Sequence, residues 1–546
     1  MNKKKWLVAA VVSAIVVTGF KQVDDYFEVS KNLDIFTTVY KEVNLSYVDE
    51  VKPGQLIRES IDAMLGSLDP YTNFYSEAQA EDYRFQVTGS YGGIGAIVKK
   101  HGSNLVVDKP YEGYPAQQAG MRTGDILIKV DGKSVVGKTS AQLSELLKGT
   151  AGTTVVITVE RPDNGEMDFT LKRAQVKVKN VPYAGLVTPK VGYVKLTGFT
   201  PDAGLEVYTA VKKLKEEGAE NIIFDLRGNG GGLLHESVNI VNVFVKKGQL
   251  VVSTRGKDKE NDRVYKTLNA PLDTEIPLVV LVDGGSASAS EIVSGTIQDL
   301  DRGVVIGTQS FGKGLVQSTR MLSYNTQMKI TTAKYYIPSG RCIQRLDYAH
   351  KKNGSAISIA DSLKQVFYTL NKRKVTDGEG VSPDIELGFP SLTKIASSLV
   401  RNDLIFDYAT KYRNEHDSIA EPLEFHLTEE DYQDFKSFLK DKEYGYTTDT
   451  EKALKDLENR AKDEKYIQAI GGSIDALKKE FDANKNEDLD RHRKEIIELL
   501  ESEIAARYYY DRAYVETTFD EDPDVQEALK IFNDPSRYQA ILKGIK

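Results

Sequence analysis

The sequence predicts a multidomain α/β protein: a mainly parallel, buried sheet over residues 179–395, a small β-domain inserted ahead of it, and helical regions at both ends. Three observations carry this. The 546 residues exceed what a single hydrophobic core organises. Apolar strands run directly into glycine-rich turns and then into helical patterns, as parallel sheets require. The hydrophobic period also changes along the chain, from helical, to strand-like, to helical and polar. Composition is that of a soluble globular protein, 40% hydrophobic and 28% charged. The formal net charge of −8 offers no basic excess to meet phosphates and excludes nucleic acid as a main partner. The lone Cys342 excludes an intrachain disulfide and reads as a small buried apolar residue.

Residues 1–22 set an expectation of compartment. Lys3-Lys4-Lys5 precede an uncharged run from Trp6 to Phe20, the pattern of a secretory signal. The run is short for a membrane span and is followed by no Ala-x-Ala site, so a signal peptide and an uncleaved signal-anchor both remain open. Either places the protein in the periplasm or another extracytoplasmic space, with the anchor adding inner-membrane attachment.

Residues 24–85 read as a helical region: apolar residues recur at helical spacing from Leu33 and again from Leu56, and Pro70 breaks the second helix. Over residues 86–176 the character changes. Gly92-Gly-Ile-Gly-Ala-Ile-Val98 is a glycine-rich turn entering a strand. A short helix at Tyr114–Met121, the segment Gly124–Gly132, a polar helix at Ser140–Leu147 and a strand at Thr154–Arg161 follow. Residues 179–395 alternate strand and helix. Strand Asn221–Leu226 leads into Gly228-Asn-Gly-Gly-Gly232 and the helix Leu233–Val245; strand Pro277–Asp283 leads into the helix Ser288–Leu300 and the strand Gly303–Gly307. Sites in such sheets lie at the carboxyl ends of the strands, where both glycine-rich turns fall. Residues 396–546 are polar, Tyr-rich and helix-patterned, and carry no recognisable chemistry; they read as a packing or homo-oligomerisation extension.

The chemistry concentrates in two segments. Gly285-Ser-Ala-Ser-Ala-Ser-Glu291 offers serines at 286, 288 and 290 among small residues that let a substrate backbone approach; an N-cap with small packing residues explains such a run equally well. A serine Oγ at a helix start would face a dipole that favours developing negative charge. Ser310-Phe-Gly-Lys313-Gly314 sets a lysine between glycines, on a chain that can bend its amine inward. In a dry pocket that amine can lose its proton and activate a serine. Gly307–Gly314 imitates a phosphate loop, but Gly314 replaces the magnesium-binding Ser or Thr and a strand-like pattern follows where a helix is needed. Gln317 lies four residues beyond Lys313, roughly 13 Å along a straight strand. His235-Glu236 lacks a second histidine for a zinc site; a Ser–His mechanism through His235 is the alternative within the hydrolase class.

Val282-Asp-Gly-Gly-Ser-Ala-Ser-Ala-Ser-Glu-Ile292 and Phe311-Gly-Lys-Gly-Leu-Val-Gln317, together with Gly380-Val-Ser-Pro-Asp384, resemble the carboxyl-terminal processing proteases (tail-specific proteases, serine peptidase family S41) over about residues 30–395. The resemblance implies a ClpP/crotonase-like α/β serine protease core with an inserted PDZ domain at 86–176. It selects the middle serine, Ser288, as nucleophile, 25 residues before the base Lys313, with Gln317 orienting the amine. It implies an oxyanion hole from the Ala289 N–H and one from Gly231 or Gly232, and no metal or cofactor. In a PDZ domain a peptide adds as a strand beside Ile94–Val98, its carboxylate held by the loop Gly93, Ile94, Gly95 and Ala96. The implied partners are proteins or peptides with apolar C-termini, cleaved near that end. The rival reading is a non-catalytic PDZ scaffold on a degenerate protease fold, against which the intact Ser288, Lys313 and Gln317 speak.

Overall fold

The computed structural model describes residues 26–545 apart from 162–163, 353 and 389–391, so the expected signal or anchor at 1–22 lies outside the described residues. Among the described residues no helix is long and apolar enough to cross a membrane. The chain forms two compact units, one from the described part of Met1–Ala80 with Gln317–Thr331, the other from Glu81–Val316 with Thr332–Lys546.

In the first unit a helix over 26–46 is followed by the helix Pro53–Gly66, which opens on a proline whose missing N–H no helix start needs. The helix ends before Pro70, and Asp69 Oδ1 then accepts the N–H groups of Tyr71 and Thr72 at 2.8 and 2.9 Å to shape the turn. The sequence gives no hint of what comes next. Strand Asn73–Tyr75 pairs antiparallel with Gln327–Lys329, so this unit is not purely helical.

The second unit holds the small β-domain, the central sheet and the C-terminal helices. The β-domain sheet runs, in spatial order, Ala96–His101, Asn104–Pro110, Ile126–Val130, Thr154–Arg161 and Gly165–Lys172. The helix Ser140–Leu147 closes it, with Leu143 buried against Val107 and Ile157. One expectation is corrected here. The strand starts at Ala96 rather than Ile94, because Ser90–Gly93 pairs instead with Ala174–Lys177 and the chain bends between the two strands. Ile94 is a core residue, 2% exposed.

The central sheet runs Tyr183–Thr188, Val191–Lys195, Asn221–Asp225, Leu278–Val282, Val304–Gly307, Ile385–Glu386, all parallel after the first antiparallel pair. Its strands alternate strictly. Ile222, Phe224, Leu278 and Val280 face the helices Ala203–Glu216, Leu234–Phe244 and Ala289–Asp299. Ile223, Val279, Leu281 and Ile306 face the opposite way, onto Val525, Ala528, Ile531 and Tyr538. A parallel sheet must be covered on both faces. The boundary expected at 395 would leave the second face bare; the helices Pro523–Phe532 and Pro535–Leu542 belong to this core. The intervening helices pack around their own apolar centre, with Tyr408, Phe435, Leu500 and Ile504 among its residues.

Candidate active site

Both glycine-rich turns lie at the carboxyl ends of adjacent central strands, Asn221–Asp225 and Leu278–Val282. The Asp283 carboxylate joins them: its Oδ1 accepts Gly228 N–H at 2.8 Å, Gly285 N–H at 2.9 Å and Ser286 N–H at 3.0 Å. Ala287 N–H donates to Asn229 O at 3.0 Å, and Asn229 Nδ2 donates to Leu196 O at 2.8 Å. The flanking serines complete the joint. Ser286 Oγ donates to Leu226 O at 2.9 Å and Ser290 Oγ to Asn229 O at 2.8 Å, and both residues are fully buried. Ser288, between them, is half-buried.

Ser288 occupies the N-cap position of the helix Ala289–Asp299, one residue outside the helix expected from the sequence, with φ 57° and ψ −110°. A positive φ at a residue bearing a Cβ costs on the order of 1–3 kcal/mol and persists only where the surroundings enforce it. Gly231, itself at φ 92°, packs directly on this residue: a Cβ there would stand 2.6 Å from Ala287 O, 2.8 Å from Ala289 N and 2.9 Å from Ser288 Cβ. Among the described residues the Ala289 N–H has no hydrogen-bond acceptor, whereas the Gly231 N–H donates to Asn229 Oδ1 at 2.9 Å within its own turn. Gly232 abuts Phe199, where a Cβ would stand 2.6 Å from the carbonyl oxygen.

Lys313 lies in the irregular segment between strands Val304–Gly307 and Leu315–Met321, and a strand rather than a helix follows it. Its glycine neighbours are required by packing. A Cβ on Gly312 would stand 2.5 Å from Arg345 Cβ, and one on Gly314 would stand 2.8 Å from Gln344 N. Gln317 sits in strand Leu315–Met321, with its Nε2 donating to Thr331 Oγ1 at 3.1 Å. His235 is 63% exposed at the start of its helix, with Nε2 3.5 Å from Glu236 Oε1.

The serine and lysine segments meet at Glu291. Its Oε2 accepts the N–H of Ser288 at 2.8 Å and that of Lys313 at 2.9 Å; its Oε1 accepts Ser310 Oγ–H at 2.6 Å and Gly312 N–H at 2.7 Å. On the carbonyl side the Tyr335 hydroxyl lies 3.0 Å from Ser288 O and 2.5 Å from Lys313 O. Burial drives the Glu291 carboxyl up to about 7, only partly offset by the Ser310 hydroxyl and the surrounding N–H groups. Ser310 Oγ also accepts Val381 N–H at 2.7 Å, tying in the Gly380–Asp384 segment. Sequence reasoning missed Glu291, although a serine followed three residues later by glutamate is the signature of a helix start. No local pattern marks Tyr335.

The loop of the β-domain borders a cavity of about 350 Å³ lined by Tyr91, Ile94, Ala96, Ile97, Val98 and Leu147 among others. Gly95, at φ 75°, has no room for a side chain, since a Cβ would stand 2.3 Å from Tyr114 Cβ.

Comparison with known proteins adds to this geometry. Residues 190–350 match the model of peptidase family S41, residues 106–161 that of the PDZ domain, and residues 395–532 that described as "Probable PDZ-protease, C-terminal helical domain". The carboxy-terminal-processing protease of Bartonella bacilliformis is 37% identical over 319 residues, covering 58% of this chain and 73% of that protein. A "Probable CtpA-like serine protease" of Staphylococcus aureus is 34% identical over 359 residues, 63% of this chain and 71% of that protein. Among solved structures, the photosystem II D1 C-terminal processing protease is 28% identical with a TM-score of 0.35, covering 64% of this chain and 92% of that one. With a parallel sheet, two glycine-rich turns at its strand ends and a PDZ domain ahead of it, the chain belongs to the carboxy-terminal-processing proteases of peptidase family S41 and is a serine-type peptidase.

Proposed function

We propose that this peptidase works through a Ser288–Lys313 dyad and cleaves extracytoplasmic proteins near apolar C-termini that its PDZ domain captures. One observation carries the dyad above all: the amides of Ser288 and Lys313 share a single buried carboxylate oxygen of Glu291. That arrangement fixes two segments distant in sequence against one another, at a serine held in a strained backbone conformation. The Lys313 amine takes the proton of Ser288 Oγ as the oxygen attacks the peptide carbonyl. The developing oxyanion is met by the Ala289 N–H and an N–H of the Gly231–Gly232 turn. The C–N bond breaks, the lysine proton passes to the leaving amine, and water then attacks the acyl-enzyme with Lys313 as base. The Gly93–Ala96 loop takes the substrate carboxylate and the adjoining cavity its apolar side chain. Delivery through the 1–22 segment puts the activity in the periplasm, anchored or released.

Labelling with a fluorophosphonate tests the dyad. Covalent modification at Ser288, lost in Lys313→Arg because a guanidinium keeps its proton, is the expected result. Failure of the folded wild type to label under conditions of peptide binding would leave a PDZ scaffold as the better reading.

A further inference from the structure

We infer that Asp522 and Asp524, in the C-terminal helical region, are positioning residues for the peptidase reaction, acting through Arg227 to hold the glycine-rich turn against Ser288. The inference rests on the reading of Ser288 and that turn given above. Residues 228, 230, 231 and 232 of the turn are glycines, so few side chains of its own restrain it. Arg227 stands at its entry. On one side Nε and Nη2 of its guanidinium engage Asp225, at 3.1, 3.2 and 2.9 Å. On the other, Nη1 and Nη2 donate to Asp522 at 3.0 and 2.7 Å, and Nη1 to Asp524 at 2.9 Å. Lys195 Nζ adds bonds to Asp225 Oδ2 at 2.8 Å and Arg227 O at 3.2 Å. Asp225 takes only the Nε and Nη2 edge of the guanidinium; carboxylates almost 300 residues further along the chain take the rest of the fork.

These pairs are not needed to dock the C-terminal helices. Val525, Ala528 and Ile531 already bury that helix on the sheet, and Leu278 N–H donates to the Tyr538 hydroxyl at 3.0 Å. The ion pairs reach the turn instead. Asp522 is itself held rigid, since its Oδ1 accepts the N–H groups of Asp524 and Val525 at 3.0 and 3.2 Å as an N-cap. The covered face of the sheet thus supplies a fixed acidic post, and Arg227 transmits its position to the backbone that packs on Ser288. Displacements of an ångström there are enough to cost large factors in rate.

The test uses the full chain with Asp522→Asn, which keeps the cap but removes the charge, and Asp524→Asn, which leaves that cap in place. Hydrolysis of an apolar-tailed peptide and inhibition by the matching peptide aldehyde, whose hemiacetal oxygen mimics the oxyanion, are the readouts. Asp522→Asn should lower kcat at least tenfold with KM within twofold, and weaken the aldehyde by a matching factor; Asp524→Asn should show the same split more weakly. Asp522→Glu should recover part of the loss. Folded variants with kcat and aldehyde affinity within twofold of wild type, or with a rise in KM alone, overturn the inference. Should Asp522→Asn fail to fold, Asp524→Asn decides. Wild-type protein that forms no adduct at Ser288 takes down the dyad as well; normal wild-type labelling with unaffected variants takes down this inference alone.

Discussion

Ser288 and Lys313 are held together by their backbones: both amides donate to one oxygen of Glu291, and the Tyr335 hydroxyl lies between both carbonyls. The side chains of a dyad can be no better aligned than the segments that carry them. Here a buried carboxylate and a buried phenol join the two segments of the proposed dyad through their backbones.

Glu291→Gln should therefore be a kinetic lesion. Glutamine keeps one acceptor oxygen and turns an NH₂ toward two donors, so either the Ser288 and Lys313 amides or the Ser310 hydroxyl and the Gly312 amide lose their acceptor. A fall in kcat of about 100-fold is expected, as for a misplacement of about 1 Å. Single-turnover kinetics on folded protein, with peptide affinity measured separately, checks it.

The acidity of Glu291 gives activity and stability opposite signs with pH. Its folded pKa of about 7 lies above the free value of 4.5. The group's contribution to stability is therefore present in full below about 4.5 and is lost as pH rises through about 7, on the order of 3 kcal/mol in all. Activity should run the other way. A proton on Oε2 would displace the Ser288 or Lys313 N–H bond and one on Oε1 would reverse the bond to Ser310 Oγ, so turnover should rise through pH 7 as the carboxylate forms. Denaturation and rate profiles across pH 5–9 test both, and Glu291→Gln should lose this component of each.

The three serines should separate by phenotype. Ser288→Ala should abolish cleavage with little change in stability. Ser286→Ala and Ser290→Ala each remove one of the two hydrogen bonds accepted by the Leu226 and Asn229 carbonyls, at about 0.5–1.5 kcal/mol, and should lower the melting temperature while keeping residual activity. Calorimetry beside peptide turnover distinguishes them; total loss at Ser286 or Ser290 alone would mean the nucleophile is misassigned.

Gly231→Ala introduces a Cβ 2.6 Å from Ala287 O at a residue with φ 92°. The serine turn must shift, and a rate loss of roughly 100-fold or more is expected, comparable to removing an oxyanion donor. Near-normal turnover in this variant would place the oxyanion elsewhere.

In the PDZ domain, Ile94→Asp should unfold the domain, because it buries a carboxylate among Leu105, Val107 and Leu143. Ile97, 40% exposed and lining the cavity, is the position for a clean test. Ile97→Asp should leave the domain folded and weaken binding of apolar-tailed peptides, as measured by fluorescence anisotropy.

The sequence alone determined what local physics writes into it. Strand-turn-helix alternation announced the parallel sheet, glycine runs marked the turns at its strand ends, and Gly-Lys-Gly with a small-residue serine run marked the chemistry. Tertiary structure decided the rest, since its causes are separated along the chain. The serines at 286, 288 and 290 are alike in local sequence and only the family resemblance singled out Ser288; the fold gives the physical difference, since the Ser286 and Ser290 hydroxyls turn to the Leu226 and Asn229 carbonyls. Tyr335 leaves no periodic trace because its partners are two carbonyls on other segments. The last helices read as an extension because amphipathic helices look alike whatever they cover. Only the folded sheet, apolar on both faces, shows that Val525, Ala528 and Ile531 were needed to keep Ile223, Val279 and Ile306 from water.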